Sequence, residues 1–340
     1  MYYFLLVLLS FCISSTYSVG DKINIGHQNM EFDICYGSNL DPNGDGVFQL
    51  VELNGDLNGG DYYVTVIEMS ASWWPSCYTS LSSFDNFYSL YDDNDNVFVF
   101  TTLADIGQPY SCYQWGNGGI SGIPMVTDDS GSPIWNLFNT GNYFPSTVFI
   151  DHTMTVYYQD SGWSSTYATT KVNEMLDNLE NSLILAVADN ISIVNGDDDN
   201  ILNPGEEFEL IFTVSNNSFY IDANNVQASI SNSSNIIFDI DNFNFGNISV
   251  DESSTFVLNG IVLNDSILGN NSFNMDITST YIDNSGNEQT EQISYNFEIN
   301  VSLNQQGFPF DANSEIKPSP LVIDFFNNNH FALSWAIILL

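Results

Sequence analysis

Cys77 closes the stretch "MSASWWPSC" (residues 69–77), and what its thiol can do depends on the element that carries it. The thiolate, not the thiol, attacks a disulfide. A cysteine in the first turn of a helix has that thiolate stabilised by unpaired backbone N–H groups. Cys77, Leu81, Phe84, Phe87, Tyr88 and Tyr91 recur near helical spacing, so a helix is expected to begin close to Cys77. The other cysteines are Cys12, Cys35 and Cys112. Cys112 stands in "DIGQPYSCYQW", just after the apolar run "NVFVFTTL". If that run is a strand parallel to "YYVTVIEMS", both strand ends open on one edge of a sheet, where α/β ligands bind. Cys77 and Cys112 are then expected to be neighbours, as a disulfide or a split dithiol. Unpaired cysteines and pairs using Cys35 stay open as alternatives.

A second chemistry is metal binding by hard oxygen ligands. "DPNGDGVFQLVE" carries Asp41, Asn43, Asp45, Gly46 and Glu52 at the positions of a calcium-binding loop. No helical pattern flanks it, and Pro42 is unusual there, so a plain turn before a strand is the preferred reading. "NGDDDNILNPGEE" is the better calcium candidate, with Asp197, Asp199 and Glu206 converging around one turn. Its bland counterpart is a solvated acidic turn. Calcium is the only cofactor the sequence suggests. His27, His152 and His330 are dispersed and form no zinc signature. The chain contains neither a G-x-S-x-G elbow nor a P-loop.

These residues must be positioned by two kinds of element. From about 61 to 185 buried strands alternate with helices: "YYVTVIEMS", "NVFVFTTL", "STVFID" and "TVYYQDSG" read as strands, the last two as a hairpin. Val172, Met175, Leu176, Leu179 and Leu183 make an amphipathic helix. After 185 the texture becomes alternating strands with Asn, Gly and Ser turns, as in an Ig-like β-sandwich. The expected organisation is a signal segment at 1–18, an α/β domain at 19–185, an all-β sandwich at 186–302 and an unassigned tail at 303–340 that reads as truncated.

The strand running into "SASWWPSC" and then a helix resembles the thioredoxin-like superfamily. The likeness is to the redoxin branch of alkyl hydroperoxide reductase/thiol-specific antioxidant proteins and secreted disulfide reductases. In that branch the segment reads A-S-W-C-x-x-C. Ala71, Ser72 and Trp73 match, Trp74 stands in place of the first Cys, and Cys77 matches the second. "YFPSTVFID" looks like the family's cis-proline loop, with Pro145 in the cis role. The resemblance covers roughly 20–185 and implies a thioredoxin-like fold with a mixed sheet. It also implies a substrate surface at Trp73, Trp74, Phe144 and Pro145, which would face a protein thiol, a disulfide or an extended peptide. Without a thiol at position 74 the local two-cysteine cycle cannot run, so Cys77 with Cys112 carries at most residual redox activity. The rival reading is a non-catalytic peptide-binding or adhesion module, as part of a larger surface protein or alone.

Charge narrows the partners. The chain has 42 Asp and Glu against 3 Lys and Arg, for a net charge of −39, which disfavours nucleic acid and anionic lipid. The apolar run from Tyr2 to Ile13, followed by Thr16-Tyr17-Ser18, reads as a secretory signal cleaved near Ser18. That run is too short to span a bilayer, and the bulky Phe11 argues against lipid attachment at Cys12. The mature chain is therefore expected to be secreted or at the cell surface, not inserted in a membrane, and able to form disulfides.

Overall fold

The computed structural model describes residues 15–118, 125–141, 143–196, 201–231 and 235–303, and the backbone of two short strands at 321–323 and 332–334. The first half carries α1 (Ile25–Gln28), β1 (Phe32–Tyr36), β2 (Val47–Phe48), α2 (Gly55–Asn58), β3 (Val64–Ser70), α3 (Pro75–Tyr88) and β4 (Val97–Leu103). It continues with α4 (Cys112–Gly116), β5 (Val126–Asp128), α5 (Pro133–Phe138), β6 (Ser146–Ile150), β7 (Val156–Ser161) and α6 (Ser165–Glu180). The strands form one sheet in the order β2-β1-β5-β4-β3-β6-β7. β4 is parallel to β3 and to β5, whereas β6 is antiparallel to β3 and β7 to β6. This is a thioredoxin-like fold with a mixed sheet: β3-α3-β4 makes the parallel half and the β6-β7 hairpin followed by α6 the antiparallel half.

The unbroken apolar run of β3 follows from its central place. All seven of its residues are buried. Val64 and Val66 pack with Leu81 and Phe84 of α3 and Val172 and Met175 of α6. Ile67 and Met69 face the other way, toward Phe48, Phe100, Ile134 and Phe138. A strand covered on both faces has no solvent side and loses the period-two alternation.

Residues 15–18 belong to this packing. The Tyr17 backbone N–H donates to the Leu137 carbonyl, and its ring stacks on Phe138 at 5.8 Å. Tyr17 is buried in the core although it lies inside the segment read as a signal.

The second half holds β8 (Leu185–Asn195), β9 (Glu207–Asn216), β10 (Ala223–Ile230), β11 (Ile236–Phe238), β12 (Asn242–Ile248), β13 (Ser253–Val262), β14 (Gly269–Ile282) and β15 (Glu288–Val301). They form two sheets, β12-β10-β14-β15 and β11-β13-β9-β8, whose pairings are all antiparallel. The sheets share one core, so this is an all-β sandwich. Phe208, Leu210, Phe212 and Val214 of β9 point inward, opposite Met275 and Phe297 of the other sheet. Here the alternation is kept, because each sheet has one wet face. Gly260 lets the strands close: a Cβ there would lie 2.3 Å from the Phe208 ring.

Candidate functional site

The candidate site lies where β3 hands over to α3, at the C-terminal edge of the parallel strands. Trp74 is the N-cap residue of α3, and its side chain makes no capping bond. Pro75 follows at the first helical position, which needs no N–H partner. Cys77 sits in the first turn with its N–H donating to the Trp74 carbonyl at 3.1 Å. The helix start thus has the position of a reactive thiol, but its outermost residue is an indole.

Cys77 itself points inward. It is fully buried among Val64, Val66, Leu81 and Trp115. Burial, with Glu68 close by, pushes its thiol up to about 12, although the Ala71 N–H and the Ser70 hydroxyl act in the other direction. Glu68 lies on β3 beneath it. The Ser70 hydroxyl donates to both Glu68 carboxylate oxygens at 2.7 Å, and the Thr101 hydroxyl donates to Oε2 at 2.7 Å. Burial still raises the Glu68 carboxyl to about 7, because two hydroxyls do not replace full hydration.

The expected partnership of Cys77 with Cys112 is not what forms. Cys112 is bonded to Cys35 across a Cα–Cα distance of 5.8 Å, and Cys77 is a free, buried cysteine. The reason is topological. β5 inserts between β4 and β1, and α4 packs on β1, so Cys112 at the start of α4 meets Cys35 of β1. The parallel arrangement of β3 and β4 is as expected; the loop after β4 carries Cys112 away over β1.

That loop is tied to the site by Ser72. The Ser72 N–H donates to Asp105 Oδ1 at 2.9 Å, and its hydroxyl reaches the carbonyls of Asp105 and Gln108 at 3.0 and 2.5 Å. Gln108–Pro109 is cis, and Tyr110 stacks on Tyr78 of α3 at 5.0 Å. On the other side the Phe144–Pro145 bond is cis, as the sequence pattern predicts. Phe144 stands edge-on to Trp73 at 6.4 Å, and Trp73 edge-on to Trp74 at 5.3 Å. Trp135 lies behind, 3.9 Å from Phe144. Pro145 is buried and Phe144 half-buried, while Trp73 is 54 % and Trp74 37 % exposed. Tyr78 and Tyr143 are exposed as well. The arrangement is an exposed aromatic surface over a thiol that burial keeps protonated.

Sequence reasoning brought out Trp73, Trp74, Phe144 and Pro145, which the fold gathers. It missed Glu68, Ser72, Asp105, Tyr78 and the Pro109 turn. A signal for Glu68 was present: it is the only charged residue in "VTVIEMS", and a charge inside a doubly buried strand needs a reason. The other expected set falls largely outside the described residues. Asp197 and Asp199 lie outside the described residues, and Glu206 accepts from the Asn203 N–H at 2.8 Å.

Similar solved structures match less than half of the chain. A secreted disulfide oxidoreductase of Mycobacterium tuberculosis, described as homologous to E. coli DsbE, is 14 % identical, with a TM-score of 0.32 over 44 % of this chain and 99 % of its own. A thioredoxin-family thiol:disulfide interchange protein from Chlorobium tepidum is 14 % identical, with a TM-score of 0.33 over 43 % and 94 %. PrxQ from Xylella fastidiosa, solved as a mutant, is 13 % identical, with a TM-score of 0.35 over 48 % and 99 %. No protein-family profile and no curated protein matches the chain. Among the described residues, no helix is long and apolar enough to cross a membrane.

Proposed function

We propose that the thioredoxin-like half is a non-catalytic peptide-binding module, derived from a thiol–disulfide oxidoreductase and exported with an Ig-like sandwich behind it. One observation carries this reading. The only free thiol among the described residues, Cys77, is buried and held near 12, while Trp74 occupies the place of an attacking cysteine. With Cys112 bonded to Cys35, the described residues hold no second thiol to resolve a mixed disulfide. What remains accessible is aromatic: Trp73, Trp74, Tyr78 and Tyr143 offer faces to an extended chain. The net charge of −39 favours a neutral or basic partner over an acidic one.

Export is supported by the Cys35–Cys112 disulfide, a bond that persists in oxidising compartments. The burial of Tyr17 moves the proposed signal cleavage upstream of Thr16, since cutting at Ser18 would remove a core residue. An Ig-like character of the sandwich is supported by its strand neighbours: β8-β9-β13 follow the A-B-E order and β10-β14-β15 the C-F-G order of that architecture.

The test is binding of an unfolded, carboxymethylated polypeptide with a basic net charge, followed by tryptophan fluorescence. Saturable binding that Trp73→Ala weakens at least tenfold is expected, together with no reduction of insulin disulfides. Turnover of insulin by the natural chain would end the non-catalytic reading. An absence of binding would end the peptide reading.

A further inference from the structure

The loop from Asp41 to Glu52 is a turn that carries β2, yet its polar atoms are not satisfied as a plain turn would satisfy them. Asp41 is 8 % exposed. Its Oδ2 accepts from the Gly46 N–H at 2.7 Å, but its Oδ1 is buried with no hydrogen-bond partner. Glu52 is in the same condition: Oε1 accepts from the Gln49 N–H at 2.9 Å, and Oε2 is buried and unpartnered. The two carboxylates face each other. Asp41 lies in contact with Glu52, and Asp45 is nearby. Two facing carboxylates that each bury an unpartnered oxygen are costly unless a positive charge lies between them.

The rest of the loop is arranged around the same point. The Asn43 side-chain NH₂ donates to Asp45 Oδ2 at 3.3 Å and to Glu52 Oε1 at 3.1 Å, so a polarised donor already stands between those carboxylates. Among the described residues no three His, Cys, Asp or Glu side chains are yet gathered as a metal cage. Here Asp45 is one amide away from the Asp41–Glu52 pair. Displacing the Asn43 NH₂ would complete the set, and the Asn43 amide also has an acceptor oxygen to offer.

The geometry points to a calcium ion in this loop, held by Asp41, Asn43, Asp45 and Glu52, with the Val47 carbonyl at the seventh position. The ligands are hard oxygens, and the carboxylates outweigh the charge of one divalent cation. Gly46 has φ +90°, which gives the sharp turn such a loop needs at its sixth position. The flanking helices of an EF-hand are replaced by packing: Leu40 packs against the domain core before the loop, and Phe48, Leu50 and Leu53 are buried in it toward and beyond the loop's end, which fixes both ends. Calcium would then lock β2 onto β1, the strand that carries Cys35.

The test uses the full chain, stripped with chelator and titrated with CaCl₂ in 0.15 M NaCl by calorimetry, with MgCl₂ in parallel. One saturable calcium site is expected, with a Kd on the order of 10⁻⁴–10⁻³ M, as in extracellular modules, and a rise in melting temperature that magnesium does not match. Glu52→Gln and the more conservative Asp45→Asn are each expected to weaken it at least tenfold. Asp92→Asn, the same charge change on an exposed residue outside the loop, is expected to leave it intact. If calcium gives no saturable heat and no shift in melting temperature, or if both loop variants keep the site, the proposal is overturned.

Discussion

The two halves of this protein bury polar groups in different ways. The thioredoxin-like half buries Glu68, Ser70 and Thr101 beneath α3 and Asp129 at the start of α5, and burial raises the Glu68 carboxyl to about 7 and that of Asp129 to about 6. The sandwich buries Asn216, Ser218 and Ser279, none of which ionises. Asn216 is spent on backbone: its amide donates to the carbonyls of Ile221 and Ile248 at 2.8 and 3.0 Å, and its oxygen accepts from the Ser218 N–H. One half holds groups whose charge depends on conditions, and the other holds groups that only close a fold. That difference puts the ionisable groups of the buried interior in the first half, beside the sealed thiol of Cys77.

The largest effect should come from adding a second sulfur at the start of α3. Trp74→Cys would put a thiol at the N-cap of α3, beside unpaired N–H groups that lower its pKa, with Cys77 one turn behind it. Insulin reduction is expected to rise from the buffer baseline to a rate proportional to protein concentration. A folded but inactive variant would show that the aromatic surface, and not the lack of a second sulfur alone, has closed the site.

A smaller effect separates the halves by pH. The folded Glu68 carboxyl is raised to about 7 from an ordinary 4.5. The folded state therefore holds a proton that the unfolded chain has released over that window. Stability from this group is complete below about pH 4.5 and falls as pH climbs through 7, by roughly 3 kcal/mol at most. Glu68→Gln is expected to remove that loss. Denaturant midpoints at pH 5 and pH 8, read through a tryptophan of the first half, should lie closer together in the variant, with Asp129 keeping a smaller difference. If they stay as far apart as in the natural chain, Glu68 is not the titrating group.

The smallest effect belongs to the sandwich. Asn216→Ala leaves two buried carbonyls and one N–H short of partners and should cost about 1–3 kcal/mol. The cost is expected to be the same at pH 5 and pH 8. A cost that changed with pH would break the contrast between the halves.

Local sequence determined the elements that build the site. The apolar runs at β3, β4 and β6 were legible because strands covered on both faces cannot hold polar residues cheaply. The helical spacing from Cys77 onward announced α3, and "YFPSTVFID" announced the turn at Pro145. The sandwich strands β9, β13 and β14 showed in their alternation, while β11 and β12 were too short or too interrupted by Asn and Gly to stand out. Both calcium patterns were visible, but Asp197–Glu206 read as the better one, because its carboxylates need no flanking helices to converge, whereas Asp41–Glu52 has none and carries Pro42. Only the tertiary structure decided which oxygens at Asp41 and Glu52 are buried without donors, and that Cys112 meets Cys35. Pairing across a sequence separation of 77 depends on strand order, here on β5 entering between β4 and β1. Strand order is settled by packing across the whole sheet, and no local pattern of residues encodes it.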